Sequence, residues 1–92
     1  MNKTVSITLT IPVTQDVLKL LVQKNALDRK LKGTAHAVDD QTIKIVVVGA
    51  VNDIDDYIDS LYEGYKKHRP LAVDVEPGHV EHDYRGTFRI IE

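Results

Sequence analysis

His79 and His82, three residues apart with Asp83 beside the second, are the donors in this sequence that most resemble part of a metal site. Zinc accepts imidazole and carboxylate ligands, but only where a rigid element aligns them. Here they follow Pro77-Gly78 in a polar stretch, His79 to Arg85, that reads as an exposed loop, so no metal is expected there. Asp53, Asp55, Asp56, Asp59 and Glu63 are a second concentration of oxygen donors. Helical spacing puts Asp56, Asp59 and Glu63 on one side, with Asp53 and Asp55 flanking them near a helix start, where the dipole favours negative charge; a solvated acidic face is the simpler reading. The basic run Lys66-Lys67-His68-Arg69 suits a phosphate or an acidic protein surface, and beside so acidic a helix it reads as balancing charge. No Ser/His/Asp or paired-carboxylate arrangement is legible from spacing alone.

The elements that carry these residues are organised around Leu31 to Gly49. Two β-prone runs are split there by Asp39-Asp40-Gln41, and the second, Thr42 to Val48, is the most β-branched stretch of the chain. A hairpin follows, with Ile43, Ile45 and Val47 on one face and Lys44, Val46 and Val48 on the other. On its partner strand Ala35 and Ala37 alternate with Thr34, His36 and Val38, and Gly33 opens the hairpin. Before it, Val5, Ile7, Leu9 and Ile11 alternate with Thr4, Ser6, Thr8 and Thr10, the pattern of a half-buried antiparallel strand. Pro12 ends that strand, and Thr14 is placed to cap a helix from Gln15 to about Lys30 with Val17, Leu20, Leu21 and Leu27 on its apolar side.

After the hairpin, Asn52 is the expected N-cap of a second helix whose stripe is Ile54, Tyr57, Ile58, Leu61 and Tyr62, stopped at Gly64. A short strand near Leu71 to Glu76 and a terminal one over Thr87 to Ile91, with Phe88 and Ile90 on one face, complete the chain. The order is βαββαβ with one extra strand. Right-handed crossovers put both helices on one face of an antiparallel sheet, so the expected fold class is α+β: a ferredoxin-like α/β sandwich with an extra C-terminal strand and its other sheet face open.

Ninety-two residues support one core, and residues 1–92 are read as a single domain. With 42% hydrophobic and 28% charged residues the composition is that of a soluble globular protein, and no apolar run approaches the roughly 20 residues needed to span a bilayer. A formal charge of -2 leaves no basic surplus for phosphate backbones, which argues against a general nucleic-acid binder. The absence of cysteine removes disulfides, thiol catalysis and cysteine-ligated zinc; together with an N-terminus unlike a signal peptide, it makes the cytoplasm the expected location.

From Gln23 onward the run Gln-Lys-Asn-Ala, then Leu-Lys-Gly, then a hairpin closing at Gly49, resembles the acylphosphatase family, with Ala26, Leu31, Lys32, Gly33 and Gly49 the best matches. Tyr84-Arg-Gly-Thr-Phe-Arg-Ile90 is similar to that family's last strand. The resemblance implies hydrolysis of carboxyl-phosphate anhydrides without metal or cofactor. A glycine-rich loop after the first strand would hold phosphate on its backbone N–H groups, an arginine at the helix start would pair with it, and an asparagine on the second strand would orient water.

Carried onto this chain, the loop falls on Ile11 to Lys19, the arginine position is Lys19 and the asparagine position is Ala37. Thr14, Gln15 and Lys19 are the residues the resemblance leaves as ligand contacts. Ile11, Gln15 and Val17 stand where the family has glycine, which denies the loop cheap positive φ angles. Asp16 adds a negative charge that, at roughly 4 Å near a surface, would cost a bound anion on the order of 4 kcal/mol. Lys19 lacks the bidentate fork of arginine, and Ala37 has no polar side-chain atom. His36, next to Ala37, points to the opposite face of its strand.

The expectation is therefore a scaffold without its catalytic groups, acting as a small regulatory or inhibitory module through a protein partner or a second copy of itself on the open sheet face. An acylphosphatase with a divergent site using Lys19, and a small anionic-ligand binder using Lys19 and the basic run, are the two alternatives.

Overall fold

Threonine and serine alternating with Val5, Ile7 and Leu9 build β1, Asn2–Thr10, in a computed structural model that describes residues 2–66, 68–78 and 88–91. The described chain continues through helix α1 (residues 15–28), β2 (Lys32–Asp39), β3 (Thr42–Ala50), helix α2 (Val51–Glu63), β4 (Ala72–Pro77) and β5 (Phe88–Ile91). The five strands form one sheet in the order β4-β1-β3-β2-β5. This is the expected ferredoxin-like α+β arrangement.

The first four strands pair antiparallel, whereas β5 pairs parallel with β2, so the complete sheet is mixed. Connectivity is the reason. The strand β4 runs opposite to β1, and β5 runs back along the direction that β1 and β2 share. Phe88 and Ile90 sit in register with Gly33 and Ala35, on the face the sequence assigns them. Pro77 is the last residue of β4, a place an edge strand tolerates for proline.

One face of the sheet carries the core. Ile7, Leu9, Ile43, Ile45, Val47 and Ala35 are fully buried beneath Val22 and Ala26 of α1 and Ile54, Tyr57 and Leu61 of α2. Among the described residues no polar or charged residue is buried. The tilted rings of Tyr57 and Phe88, with centroids 6.3 Å apart, join α2 to the far edge of the sheet. No described helix is long and apolar enough to cross a membrane.

Two local features differ from the sequence expectation. The helix α1 is π-helical over Val17–Gln23 before continuing as α-helix over Lys24–Asp28, and the Lys24 N–H bonds the Lys19 carbonyl. Bonding five residues back widens the turn and shifts the buried stripe to Val17, Leu18, Leu21, Val22 and Ala26, leaving Leu20 and Leu27 about half exposed. At α2 the N-cap is Ala50, whose ψ of 143° is extended, so Asn52 falls inside the first turn and caps nothing. The strand runs directly into the helix, with no linker in which an asparagine could take the capping position.

Candidate functional site

The end of β1 and the start of α1 form the corner on which the resemblance places a phosphate. Beyond Thr10 the chain stays attached to the β2–β3 turn: the Ile11 N–H donates to the Gln41 carbonyl at 3.0 Å and the Val13 N–H to the Asp40 carbonyl at 2.9 Å. That turn is itself fixed by the Gln41 N–H donating to Asp39 Oδ1 at 2.8 Å. Thr14 then caps α1 as its residue type predicts, its Oγ1 accepting the Val17 N–H at 3.1 Å while its carbonyl accepts the Leu18 N–H at 3.0 Å.

These bonds decide what the corner can offer an anion. Of the backbone amides of residues 11–18, those of Ile11, Val13, Val17 and Leu18 are engaged, Pro12 has none, and at most Thr14, Gln15 and Asp16 remain. Asp16 is helical, at φ -65° and ψ -42°, and positive φ among the described non-glycine residues occurs only at Lys30 and Lys66. The turn is thus a closed helical start, and Asp16 carries a carboxylate on its first turn.

Gln15 and Lys19 are exposed on α1. Ala37 is exposed near the end of β2, in register with Ile43 of β3 and, one strand further, Leu9 of β1. Position 37 therefore faces the helix-bearing side, two strand spacings or about 10 Å from β1, and presents a methyl group. A shift of register between Ala37 and Asp39 extrudes Val38 there. His36, paired with Lys44, faces away from α1 and cannot serve the corner.

The structure assembles a cleft of about 320 Å³ on the other flank of the same connection, and the sequence did not announce it. Its walls are Ile11, Pro12, Thr14, Asp16 and Val17 on one side and Tyr65, Lys66 and His68 on the other. Gly64 makes this possible. At φ 77° and ψ -162° it takes a conformation open to glycine alone and reverses the chain after α2. The following turn is closed by reciprocal 2.9 Å bonds between Tyr65 and His68, and Lys66 Nζ lies 5.3 Å from the centre of the Tyr65 ring.

Lys66 and His68 of the basic run thus line one cleft with the β1–α1 connection. Among the described residues the one ion pair joins Lys3 to Asp55 at 3.5 Å. Of Thr14, Gln15 and Lys19, only Thr14 lines the cleft. No group of three potential metal ligands occurs among the described residues, and His79, His82 and Asp83 lie outside them.

No protein-family model and no curated protein matches the sequence. Solved structures do. The acylphosphatase from Bacillus subtilis superposes over the whole of both chains with a TM-score of 0.82 at 21% identity. The acylphosphatase from Coxiella burnetii gives 0.84 at 23% identity, over 98% of this chain and 93% of that one. Full-length HypF in its phosphate- and nucleotide-bound form matches all of this chain with 12% of its own length, at a TM-score of 0.79 and 18% identity. At such identities the likeness is one of architecture, and the chain has an acylphosphatase-like fold.

Proposed function

We propose that this acylphosphatase-like chain hydrolyses no acyl phosphate and acts through protein contacts, as a small regulatory or inhibitory module. The observation that carries the reading is the state of the β1–α1 corner. Its amides at 11, 13, 17 and 18 are bonded within the protein, and Asp16 adds a carboxylate to the same helix start. A phosphoryl group needs several converging N–H donors and a positive field; at most the amides of Thr14, Gln15 and Asp16 are open here, and the Asp16 charge opposes an anion. Ala37 removes the remaining means of orienting water. What the scaffold retains is a well-packed core and a broad sheet face that no described element covers.

The test is turnover of an acyl phosphate such as acetyl or benzoyl phosphate. The expected rate equals that of buffer; a faster rate that falls in Lys19→Ala would establish the divergent enzyme instead. A second reading, binding of a small anion, is favoured by one observation: Lys66 and His68 are brought to the cleft beside Thr14. Titration with inorganic phosphate, followed by amide NMR shifts at Thr14, Lys66 and His68, separates it from the first.

A further inference from the structure

We propose that the helix-free face of the sheet pairs with the same face of a second copy of this chain, about a two-fold axis lying along the strands between β1 and β3. The proposal rests on the protein-contact reading and names the partner. A sheet face that no described element covers is ordinary in itself. The distribution of charge across this one is what specifies an occupant.

Register fixes the rows. Reading from β4 through β1 and β3 to β2, one row is Asp74, Thr8, Lys44, His36, and the next is Glu76, Ser6, Val46, Thr34. The third holds Thr4, Val48 and Lys32 on β1, β3 and β2. Acidic side chains therefore occupy the β4 edge and basic ones β3 and β2, with a stripe of serine and threonine along β1; the exception is Asp39 of β2, which shares a row with Thr42, Thr10 and the uncharged Ala72 of β4. Asp74, Glu76, Lys32, His36 and Lys44 are all exposed, while Thr4, Ser6, Thr8, Val46 and Val48 are half-buried.

A face so divided is complementary to itself under one choice of axis. Rotation about the strand direction lays the β4 edge of each copy over β2 of the other. Asp74 then faces the partner's His36, Glu76 lies near the partner's Lys32, and Lys44 stands over the partner's Thr8 with the partner's Asp74 beside it. Rotation about the perpendicular in-plane axis stacks the two acidic edges on each other, which like charges disfavour. Between the charged flanks, the small side chains of β1 meet Val46 and Val48, which allows two sheets to approach to about 10 Å.

Four strands of this length give a planar footprint of roughly 450 Å² per copy, which falls below the standard specific range and among weak, transient contacts. Association is therefore concentration-dependent. Because its flanks are exposed ion pairs, it is also salt-dependent.

Sedimentation equilibrium over a concentration series reaching about 1 mM decides the matter. The expected mass climbs from 10.4 kDa toward twice that value, and the association weakens severalfold as salt rises. The variant Asp74→Lys/Glu76→Lys and the variant Lys32→Glu/His36→Glu should each associate at least tenfold more weakly while keeping the native circular dichroism. An equimolar mixture of the two should regain the wild-type constant, because each acidic patch again meets a basic one. A wild-type monomer at all concentrations, variants that dimerise like wild type, or a mixture that stays monomeric would each overturn the proposal. A monomer without acyl-phosphate turnover removes the dimer and leaves the protein-contact reading intact, whereas turnover by a dimer removes that reading alone.

Discussion

The hydroxyl of Tyr57 on α2 donates to the backbone carbonyl of Val22 on α1 at 3.0 Å, and both residues are fully buried. This bond joins the two helices at the π-helical stretch of α1. Tyr57→Phe keeps the ring and its contact with Phe88 but leaves the Val22 carbonyl without its phenolic donor. We expect a loss of about 1–2 kcal/mol, read as a lower urea midpoint at an unchanged m-value.

The same burial makes stability depend on alkaline pH. Removal from water pushes the Tyr57 hydroxyl well above its ordinary range, against a smaller opposing pull from Arg29. In the unfolded chain the phenol ionises near pH 10, while the folded state retains the proton. The native state thus binds more protons above that point. Its stability advantage is complete below about pH 10 and declines above it by up to about 1.4 kcal/mol per pH unit. Urea midpoints measured between about pH 9 and 11.5 should fall more steeply for wild type than for Tyr57→Phe.

Gly33 opens β2 at φ 142°, and a Cβ there would strike the backbone carbonyl of Val46 on β3. Strand β3 is central and cannot give way without disturbing both neighbours. Gly33→Ala should cost more than about 3 kcal/mol, or prevent folding. Thermal melts beside Ala35→Gly, which removes a methyl from a site of ordinary φ, separate the backbone effect from a general loss of strand packing.

Restoring the two side chains that the acylphosphatase resemblance assigns should not restore the reaction. In Lys19→Arg/Ala37→Asn the Val17 and Leu18 amides remain bonded to Thr14, and Asp16 remains beside them. We expect no acyl-phosphate turnover above buffer from that double variant. Turnover within about 100-fold of an ordinary enzyme rate would show that side chains, and not the helical closure of residues 15–18, had been limiting.

Local periodicity made most of the frame legible. Alternation in β1, the β-branched run of β3, Gly33, the Thr14 cap and the stop at Gly64 each depend on neighbours in sequence, and each appears where residue type places it. Three features depended on contacts that no local pattern encodes. The buried stripe of α1 shifted because a π-helical segment replaced regular turns, which exposed Leu20 and buried Leu18. The cap of α2 moved from Asn52 to Ala50 because β3 leads into the helix without a linker. Lys66 and His68 came to line a cleft with Thr14 and Asp16 because Gly64 reverses the chain.

The sequence alone determined which strand residues face the core and that the β1–α1 connection lacks glycine at the positions the acylphosphatase resemblance assigns to it. Tertiary structure decided which charges share a surface. Asp74 and Lys44 lie 30 residues apart in the chain, and they join one row with Thr8 only because β1 is held between β4 and β3. Side-chain periodicity is a property of each strand by itself, whereas strand order is set by how the helices bury one face of the whole sheet.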